Sequence, residues 1–214
     1  MICTCLSEPV FENCLRLVRQ YDFVEIRLDG AYFTLEQVQQ LFQSGKRTIA
    51  TFRPGKHGDN ERAAGLKAAI QAGATMVDIE VDAPSAYRED ILSVARKNGS
   101  ELIVSFHDYQ STPLKARLLQ ILDECYRAGA DIAKIACQVN SREDALRLLS
   151  LFEQEGRKLI TGMGEQGKIV RLAGLYLGSA FGYAAPDQGS ATASGQFTFS
   201  TLSDIIQKIN QTQP

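Results

Sequence analysis

The stretch Phe23-Val24-Glu25-Ile26-Arg27-Leu28-Asp29 alternates apolar and ionisable side chains. Side chains along a β-strand point alternately to its two faces, so this stretch has one apolar face and one charged face. A parallel strand that is buried on both faces reads instead as a nearly continuous apolar run. The charged face therefore needs an environment in which buried charges are paired or used. Its members are Glu25, Arg27 and Asp29.

Two further strand-like runs repeat the same two-face pattern. In the run from Met76 to Val81, Asp78 and Glu80 alternate with apolar residues, and in the run from Leu102 to Phe106 the polar face continues to His107. Three strands with one charged face each predict a shared interior for those faces.

Eight apolar, β-branched runs alternate with stretches of helical period at a spacing of about 25 residues. The predicted strands are Ile2 to Leu6, Phe23 to Leu28, Thr48 to Phe52, Met76 to Val81, Leu102 to Phe106, Ile132 to Ala136, Leu159 to Met163 and Gly178 to Ala184. Helix starts are predicted at Ser7, Thr34, Pro84-Ser85, Thr112-Pro113 and Ser141, and helix ends at Gly73, Gly99, Gly129 and Gly156. This alternation predicts an α/β fold, a single (β/α)8 TIM barrel over residues 1–214.

An open doubly wound sheet is the alternative architecture. It is disfavoured because no Gly-x-Gly-x-x-Gly follows the first strand and no Walker sequence is present. In a barrel, the apolar faces pack against the helices and the charged faces point into the lumen, where active sites form at the carboxyl ends of the strands. The predicted lumen set is Glu25, Arg27, Arg53, Asp78, Glu80, His107 and Lys134. An inert network of salt bridges that fills the barrel is the alternative for this set.

Lys134 stands alone in the apolar run Asp131-Ile132-Ala133-Lys134-Ile135-Ala136-Cys137. A desolvated amine beside other cations attacks ketones, and the protonated imine that results acidifies the adjacent carbon. An imidazole at a neighbouring strand end, here His107, is suited to take that proton and to protonate a leaving hydroxyl. Asp78 or Glu80 would orient its ring. The plain alternative is a lysine whose stem packs and whose head reaches water.

Composition excludes several classes of function. The chain has 214 residues, 44% hydrophobic and 22% charged, with a net charge of −2 and no basic cluster, so nucleic acid is not an expected partner. No apolar run approaches the roughly 18 residues of a membrane span, and no signal peptide is evident, so a cytoplasmic protein is expected. The five cysteines are expected to be reduced, and the two histidines show no metal-ligand spacing, so no metal is expected.

Seven motifs in order make the chain resemble the type I 3-dehydroquinate dehydratases of the shikimate pathway of aromatic amino acid biosynthesis. The motifs are Glu25-Ile26-Arg27-Leu28-Asp29, Thr51-Phe52-Arg53, Asp78-Ile79-Glu80, Ser105-Phe106-His107-Asp108, Asp131 to Ala136, Met163-Gly164 with Val170 to Gly174, and Ser194-Gly195-Gln196. The resemblance covers nearly the whole chain.

The resemblance implies a lyase that removes water from 3-dehydroquinate through a Schiff base, without a metal or organic cofactor. It implies that Lys134 forms the imine, that His107 acts as base and acid, and that Arg171 holds the substrate carboxylate. The remaining implied substrate-binding residues are Glu25, Arg27, Arg53, Thr192 and Gln196, with Gln196 on a loop of small residues between Gly182 and Gln196 that closes the site. A homodimer is the expected assembly.

Three departures from the family pattern are visible. His57 stands where relatives tend to have a glutamate, so it either tunes the catalytic imidazole or lies in a solvated loop, and Asp59 or Glu61 is a candidate to replace the glutamate. Thr192 stands where serine is frequent. Because the first predicted strand starts at Ile2, the barrel is expected to lack the extra N-terminal hairpin of many relatives. Some relatives are fused to shikimate dehydrogenase, so this chain is expected to be monofunctional or a separated domain.

Two other functions remain open at this point. An aldolase-like barrel would use the same lysine chemistry but would not need the set of arginines. A non-enzymatic protein that binds a cyclic polyhydroxy acid would treat His57 as the mark of a decayed site.

Overall fold

The computed structural model describes residues 1–189 and 191–211. In this part of the chain, strands and helices alternate from β1 to α8. The strands are β1 (Ile2–Leu6), β2 (Phe23–Arg27), β3 (Arg47–Thr51), β4 (Met76–Glu80), β5 (Glu101–Asp108), β6 (Ile132–Gln138), β7 (Lys158–Met163) and β8 (Gly182–Ala184). The helices are α1 (Phe11–Gln20), α2 (Leu35–Phe42), α3 (Asp59–Gln71), α4 (Ser85–Asn98), α5 (Lys115–Arg127), α6 (Arg142–Leu149), α7 (Lys168–Leu177) and α8 (Phe199–Gln211). Short 3-10 turns occupy Leu28–Gly30, Ser150–Glu153 and Glu165–Gly167.

The strands form a nearly closed parallel barrel. Their order is β7-β6-β5-β4-β3-β2-β1-β8, and every neighbouring pair is parallel. The remaining seam is bridged just before β8, where Lys158 pairs with Ser179 and the amide of Ala180 donates to the Lys158 carbonyl at 2.9 Å. The predicted (β/α)8 TIM barrel is therefore confirmed, and the open doubly wound alternative is wrong.

Two apolar clusters lie on opposite faces of the sheet, as the alternation predicted. The outer cluster packs the sheet against the helices and contains Val24, Ile26, Val77, Ile79, Val104 and Ile135. The inner cluster fills the barrel near the amino ends of the strands and contains Cys3, Cys5, Phe23, Ile49, Met76, Ile103, Ile132, Leu159, Phe181 and Tyr183. The inner cluster forms a floor, and the ionisable residues of the same face stand above it.

Two predicted helix starts agree with the structure because each carries a complete capping box. Thr34 and Gln37 exchange side-chain to backbone hydrogen bonds at the start of α2, and Ser141 and Asp144 do the same at α6. The start predicted at Pro84-Ser85 is also confirmed, because α4 begins at Ser85. The signals at Ser7 and Thr112-Pro113 differ from the structure. Helix α1 begins at Phe11, after a turn in which Glu8 accepts from the amide of Val10 at 3.0 Å.

Helix α5 begins at Lys115 rather than at the predicted Thr112-Pro113. The Thr112 hydroxyl donates to the carbonyl of Gln138 at 2.7 Å, so it ties the loop to β6 instead of capping a helix. The strand predicted from Gly178 begins only at Gly182, because Gly178 ends α7 in the left-handed region at φ 104°.

None of the described helices is both long and apolar enough to cross a membrane. The predicted closing loop from Gly182 to Gln196 divides into β8 and a following segment. Ser190 of that segment lies outside the described residues.

Candidate active site

Lys134 lies on β6 at the centre of a cavity at the carboxyl end of the barrel. Its side chain is 6% exposed, and its Nζ lies 2.7 Å from Oδ2 of Asp78 and 3.3 Å from the hydroxyl of Tyr183. The head of this lysine does not reach bulk water, so the plain strand-end alternative is wrong. The cavity measures about 440 Å³ when its solvent-open mouth is counted, and it is lined by Cys5, Glu25, Arg27, His107, Tyr109, Lys134, Ala136, Thr161, Met163, Arg171, Tyr183, Thr192, Ala193 and Gln196.

Asp78 is a fully buried carboxylate shared by two cations. Its Oδ2 accepts from Arg53 Nη2 at 2.7 Å and from Lys134, and its Oδ1 accepts from the Ser105 hydroxyl at 2.6 Å. Burial raises the pKa of the Asp78 carboxyl, but the charges of Arg53 and Lys134 outweigh burial and hold the pKa well below its ordinary value. Asp78 is therefore a fixed negative charge beside the amine.

Glu80 continues this network away from the cavity. Arg53 Nη1 donates to Oε1 of Glu80 at 2.7 Å, and Arg62 Nη2 donates to Oε2 at 2.8 Å. Arg62 comes from α3, and its Nε also donates to the carbonyl of Phe52 at 2.9 Å. One oxygen of Glu80 thus binds Arg53, and the other binds Arg62, which holds the carboxylate in place.

Glu25 and Tyr183 approach Lys134 from β2 and β8. Oε1 of Glu25 accepts from the Thr51 hydroxyl at 2.9 Å and from the Tyr183 hydroxyl at 3.2 Å, and it lies 3.7 Å from Lys134 Nζ. Burial raises the pKa of Glu25, but Lys134 and Arg27 outweigh burial and lower it. The amine is therefore flanked by two carboxylates and one phenol.

His107 stands at the end of β5, one strand away from Lys134. Burial lowers the pKa of its imidazole well below the ordinary value, and the charges of Arg53 and Lys134 lower it further. Its ring stacks on Tyr109 with centroids 5.9 Å apart and an interplanar angle of 15°. A neutral imidazole that faces the cavity is equipped to accept a proton.

The expected hydrogen bond from the His107 ring to Asp78 or Glu80 is not formed within residues 1–189 and 191–211. The oxygens of both carboxylates are taken by arginine, lysine and serine donors. Stacking on Tyr109 therefore fixes the plane of the ring, and its polar edge is left for a ligand.

Arg171 on α7 is a buried cation that faces the cavity. Among the described residues it has no carboxylate partner: Nη2 donates only to the Ser194 carbonyl at 3.5 Å, and Nε is buried with no partner. Burial lowers the pKa of this guanidinium to about 10. An unpaired buried guanidinium is suited to receive the two oxygens of a carboxylate ligand.

The segment from Thr192 to Gln196 covers one side of the cavity. Oε1 of Gln196 accepts from the amide of Thr192 at 3.0 Å and from its hydroxyl at 3.2 Å. Gly195 has φ 76°, and a Cβ there would overlap the carbonyl oxygen of Gly164 at the end of β7. Glycine at position 195 is thus required both by its backbone angle and by close packing on β7.

Arg27 and Arg53, both predicted to bind substrate, line two different pockets. Arg27 lines the cavity, and Asp29 orients it through bonds of 2.9 Å to Nε and 2.8 Å to Nη2. Arg53 instead lines an adjoining pocket together with Glu80, Ser105 and His107. From outside the main cavity, Arg53 donates a hydrogen bond to Asp78 and its charge lowers the pKa of His107.

His57 belongs to a separate small pocket and is absent from the lining of the main cavity. It is buried, so it is not a solvated loop residue. Its Nδ1 lies 2.8 Å from Oε1 of Glu61, and its ring packs on those of Tyr32 and Phe52 at centroid distances of 4.7 and 4.9 Å. Glu61, one of the candidate replacements for the family's glutamate, is therefore bound to His57.

The sequence reasoning missed Tyr183, Tyr109 and Arg62. Tyr183 lies in β8, the least regular of the predicted strands, but the alternation Phe181-Gly182-Tyr183-Ala184 carried a usable signal. It places both aromatic side chains on the same face. Arg62 lies on a helix and reaches the network through the end of its long side chain, which no spacing in the sequence reveals. No group of three or more His, Cys, Asp or Glu residues in the described part of the chain is arranged to hold a metal ion.

Comparisons with known proteins agree with this geometry. The family model described as Type I 3-dehydroquinase matches residues 2–213. The 3-dehydroquinate dehydratase of Desulfotalea psychrophila is 30% identical over 97% of this chain and 97% of its own length. That of Methanocaldococcus jannaschii is 33% identical over 96% of this chain and 97% of its own.

A solved structure adds the three-dimensional comparison. The crystal structure of 3-dehydroquinate dehydratase from Geobacillus kaustophilus HTA426 superimposes with a TM-score of 0.88 at 26% identity, covering 100% of this chain and 92% of that one. The match of the family model over nearly the whole length, together with these relatives, shows that the chain belongs to the type I 3-dehydroquinase family and carries its dehydratase activity.

Proposed function

We propose that Lys134 attacks the ring ketone of 3-dehydroquinate and that elimination of water from the resulting imine gives 3-dehydroshikimate. The observation that carries this assignment is the amine itself, buried 2.7 Å from Asp78 in a cavity that His107 and Arg171 also line. A protonated imine at this nitrogen keeps a counter-charge in Asp78, which stays ionised at neutral pH. The imine then acts as the electron sink for proton removal from the adjacent carbon.

His107 is proposed as the base that removes this proton and as the acid that returns it to the leaving hydroxyl. Its neutral form predominates because burial and two neighbouring cations disfavour the imidazolium. After it takes the proton, the imidazolium is a strong acid for the same reason and donates readily to the hydroxyl.

Arg171 is proposed to bind the substrate carboxylate, since it is a buried guanidinium of the cavity whose charge has no partner among the described residues. Glu25 and Arg27 are proposed to bind hydroxyls of the ring. Thr192 and Gln196 would cover the bound substrate and exclude water that hydrolyses the imine. Arg53, Asp78 and Glu80 support the site by fixing charge behind it, and His57 supports it by packing the β3 loop.

Family membership favours elimination over the aldol cleavage that the same lysine chemistry allows. The unpaired Arg171 also favours it, because a cyclic carboxylate fills that position. The inert salt-bridge network explains Asp78, Glu80 and Arg53 but leaves Arg171 and the cavity without a role.

The deciding experiment is to incubate the protein with 3-dehydroquinate, reduce it with borohydride and locate the adduct by mass spectrometry. We expect an adduct on Lys134 in the unmodified protein and none in Lys134→Ala. In His107→Ala the adduct should still form while the conjugated product does not accumulate. Turnover that survives in Lys134→Ala would overturn the assignment.

The cellular setting is a second part of this proposal. All five cysteines are unpaired and buried, which supports a reducing, cytoplasmic environment.

We propose one domain that works as a homodimer without a metal or organic cofactor. Sedimentation of the purified chain and its activity after chelation test these points. A shikimate dehydrogenase fusion is a weaker proposal, since the curated relatives above match over nearly their whole length as single proteins.

A further inference from the structure

We propose that the hydroxyl of Tyr183 relays the proton that Lys134 must lose before its amine attacks a carbonyl, and that Glu25 receives it. This inference rests on the proposed role of Lys134 as the imine-forming residue. It adds a catalytic residue, from β8, that touches the reacting nitrogen.

The geometry leaves no direct path between the two end groups. Lys134 Nζ and Glu25 Oε1 lie 3.7 Å apart, which is longer than a hydrogen bond. The Tyr183 hydroxyl is hydrogen-bonded to both: it accepts from Nζ at 3.3 Å and donates to Oε1 at 3.2 Å. A phenol both accepts and donates, so it joins the two groups into one chain.

The proton transfer is balanced over these three groups. The ammonium of Lys134 gives one proton to the oxygen of Tyr183, and that oxygen gives its own proton to Oε1 of Glu25. The products are a neutral amine, an unchanged phenol and a carboxylic acid, so the total charge of the three groups stays the same. The freed lone pair then forms the bond to the ketone carbon, and the oxygen of the resulting carbinolamine leaves as water with one proton from the nitrogen and the proton held by Glu25. A protonated imine and an ionised Glu25 remain, and hydrolysis of the imine runs the same steps in reverse and returns the proton to Lys134.

Glu25 is a better acceptor than Asp78, although Asp78 is closer to the amine. Burial raises the pKa of Glu25, and the charge of Lys134 is the main influence that lowers it. That charge disappears when Lys134 gives up its proton. Asp78 keeps the charge of Arg53, the largest influence that lowers its pKa, whatever Lys134 does. Once Lys134 is neutral, the pKa of Glu25 rises and its carboxylate accepts the proton. Asp78 stays ionised because Arg53 remains beside it.

Local packing holds the phenol in the relay position. Tyr183 is buried, it pairs with Cys3 of β1, and its ring meets Phe181 edge-on at a centroid distance of 5.2 Å. The Thr51 hydroxyl donates to the same oxygen of Glu25 at 2.9 Å and fixes the receiving carboxylate. Burial and the charge of Glu25 raise the pKa of the Tyr183 phenol well above its ordinary value, so the relay hydroxyl keeps its proton between transfers.

The test is Tyr183→Phe, which keeps the ring and removes only the hydroxyl. The rate of Lys134 adduct formation with 3-dehydroquinate is measured by rapid mixing, borohydride quench and mass spectrometry. We expect a rate about a hundredfold or more below that of the unmodified protein. Tyr87→Phe is the matched control, because Tyr87 is a buried tyrosine on α4 whose hydroxyl has no hydrogen-bond partner among residues 1–189 and 191–211. The adduct rate of this variant should not change.

A solvent isotope measurement separates a relay from a hydroxyl that merely positions the amine. In mixtures of H2O and D2O, two protons moving together give a curved dependence of the adduct rate on deuterium fraction in the unmodified protein. A linear dependence there, or an undiminished adduct rate in Tyr183→Phe, would overturn the relay and leave the role of Lys134 intact. The absence of any adduct in the unmodified protein would instead overturn the proposed function.

Discussion

The Nζ atom of Lys134 and Oδ2 of Asp78 lie 2.7 Å apart, and the same oxygen also accepts from Arg53 at 2.7 Å. Two cations thus share one buried carboxylate beside the nitrogen that we propose forms the imine. Because the pKa of Asp78 is held low, a negative charge remains beside that nitrogen. Replacing Asp78 should therefore affect both stability and turnover.

Asp78→Asn should strongly destabilise the fold and abolish useful turnover. The substitution keeps the shape but leaves Arg53 and Lys134 without their shared charge, which typically costs about 3 to 5 kcal/mol of unfolding free energy. Urea unfolding followed by circular dichroism measures it. Asp22→Asn is the control, since Asp22 forms a 2.7 Å pair with Lys46 while its side chain is 97% exposed, and no measurable change is expected there. An equal loss of unfolding free energy in the two variants would contradict the conclusion that burial makes the ion pairs of Asp78 important for stability.

Arg171→Met should weaken substrate binding without destabilising the fold. A lost charge-assisted contact with a carboxylate raises KM about 30-fold or more, at roughly tenfold per 1.4 kcal/mol. The unfolding free energy should stay the same or rise, because the substitution removes a buried charge that lacks a partner in the described structure. A marked fall in stability would mean that Arg171 is a structural residue. Arg117→Met, at a half-exposed surface position, should leave KM unchanged.

The acid side of the kcat profile should report His107. Burial and the nearby cations lower the pKa of this imidazole, so it stays neutral and active through its ordinary titration range near pH 6.5. Activity should be level above about pH 6.5 and fall only at lower pH, as the base becomes protonated. An acid limb centred above about pH 7 would contradict this assignment.

The same group should make stability depend on pH. Below about pH 6.5 the unfolded chain binds a proton on this histidine, whereas the folded chain does so only at lower pH. The unfolding free energy should therefore decrease as pH falls from about 6.5 toward the lowered pKa of His107. His107→Gln should remove that part of the decrease, which urea unfolding across the pH range measures.

Gly195→Ala should raise KM in addition to lowering the stability of the fold. A methyl group there would both strain a left-handed backbone and overlap the Gly164 carbonyl, which displaces the segment that carries Gln196. Gly45→Ala is the matched control, with φ 71° and no atom within 4 Å of the new Cβ. Both variants should lose about 1 to 2 kcal/mol of stability from the backbone. Only Gly195→Ala should change KM, and an equal KM in the two variants would contradict the covering role.

The periodic features of the chain were enough to predict the barrel and most of the lumen. Alternation in Phe23 to Asp29 assigned Val24 and Ile26 to the helix-facing side and Glu25 to the interior, because a strand has only two faces. Helix starts were predicted well where a residue caps its own helix, as at Ser141. They were wrong at Thr112, where the hydroxyl bonds to another strand, since such a long-range partner leaves no local pattern.

The details of the site depend on long-range contacts and could not be predicted in the same way. Nothing local in the sequence indicates that Arg62 fixes Glu80 or that the hydroxyl of Tyr183 bonds to both Lys134 and Glu25. Arg62 reaches Glu80 from a helix, and Tyr183 reaches its partners because β8 pairs with β1 across the whole length of the chain. The position of His57 likewise depends on how the loop after β3 folds back onto Tyr32 and Phe52.

His57→Phe should leave catalysis intact and reduce stability slightly. The new ring keeps the aromatic contacts with Tyr32 and Phe52 but loses the 2.8 Å bond from Nδ1 to Glu61, at a cost of about 1 kcal/mol. Since His57 does not line the cavity of Lys134, kcat should stay within about twofold and the acid limb of the profile should not move. The pH dependence of kcat, measured beside urea unfolding, tests both parts. A shifted acid limb would show that residue 57 acts on His107 through the β3 loop and would assign to this histidine the tuning role of the family's glutamate.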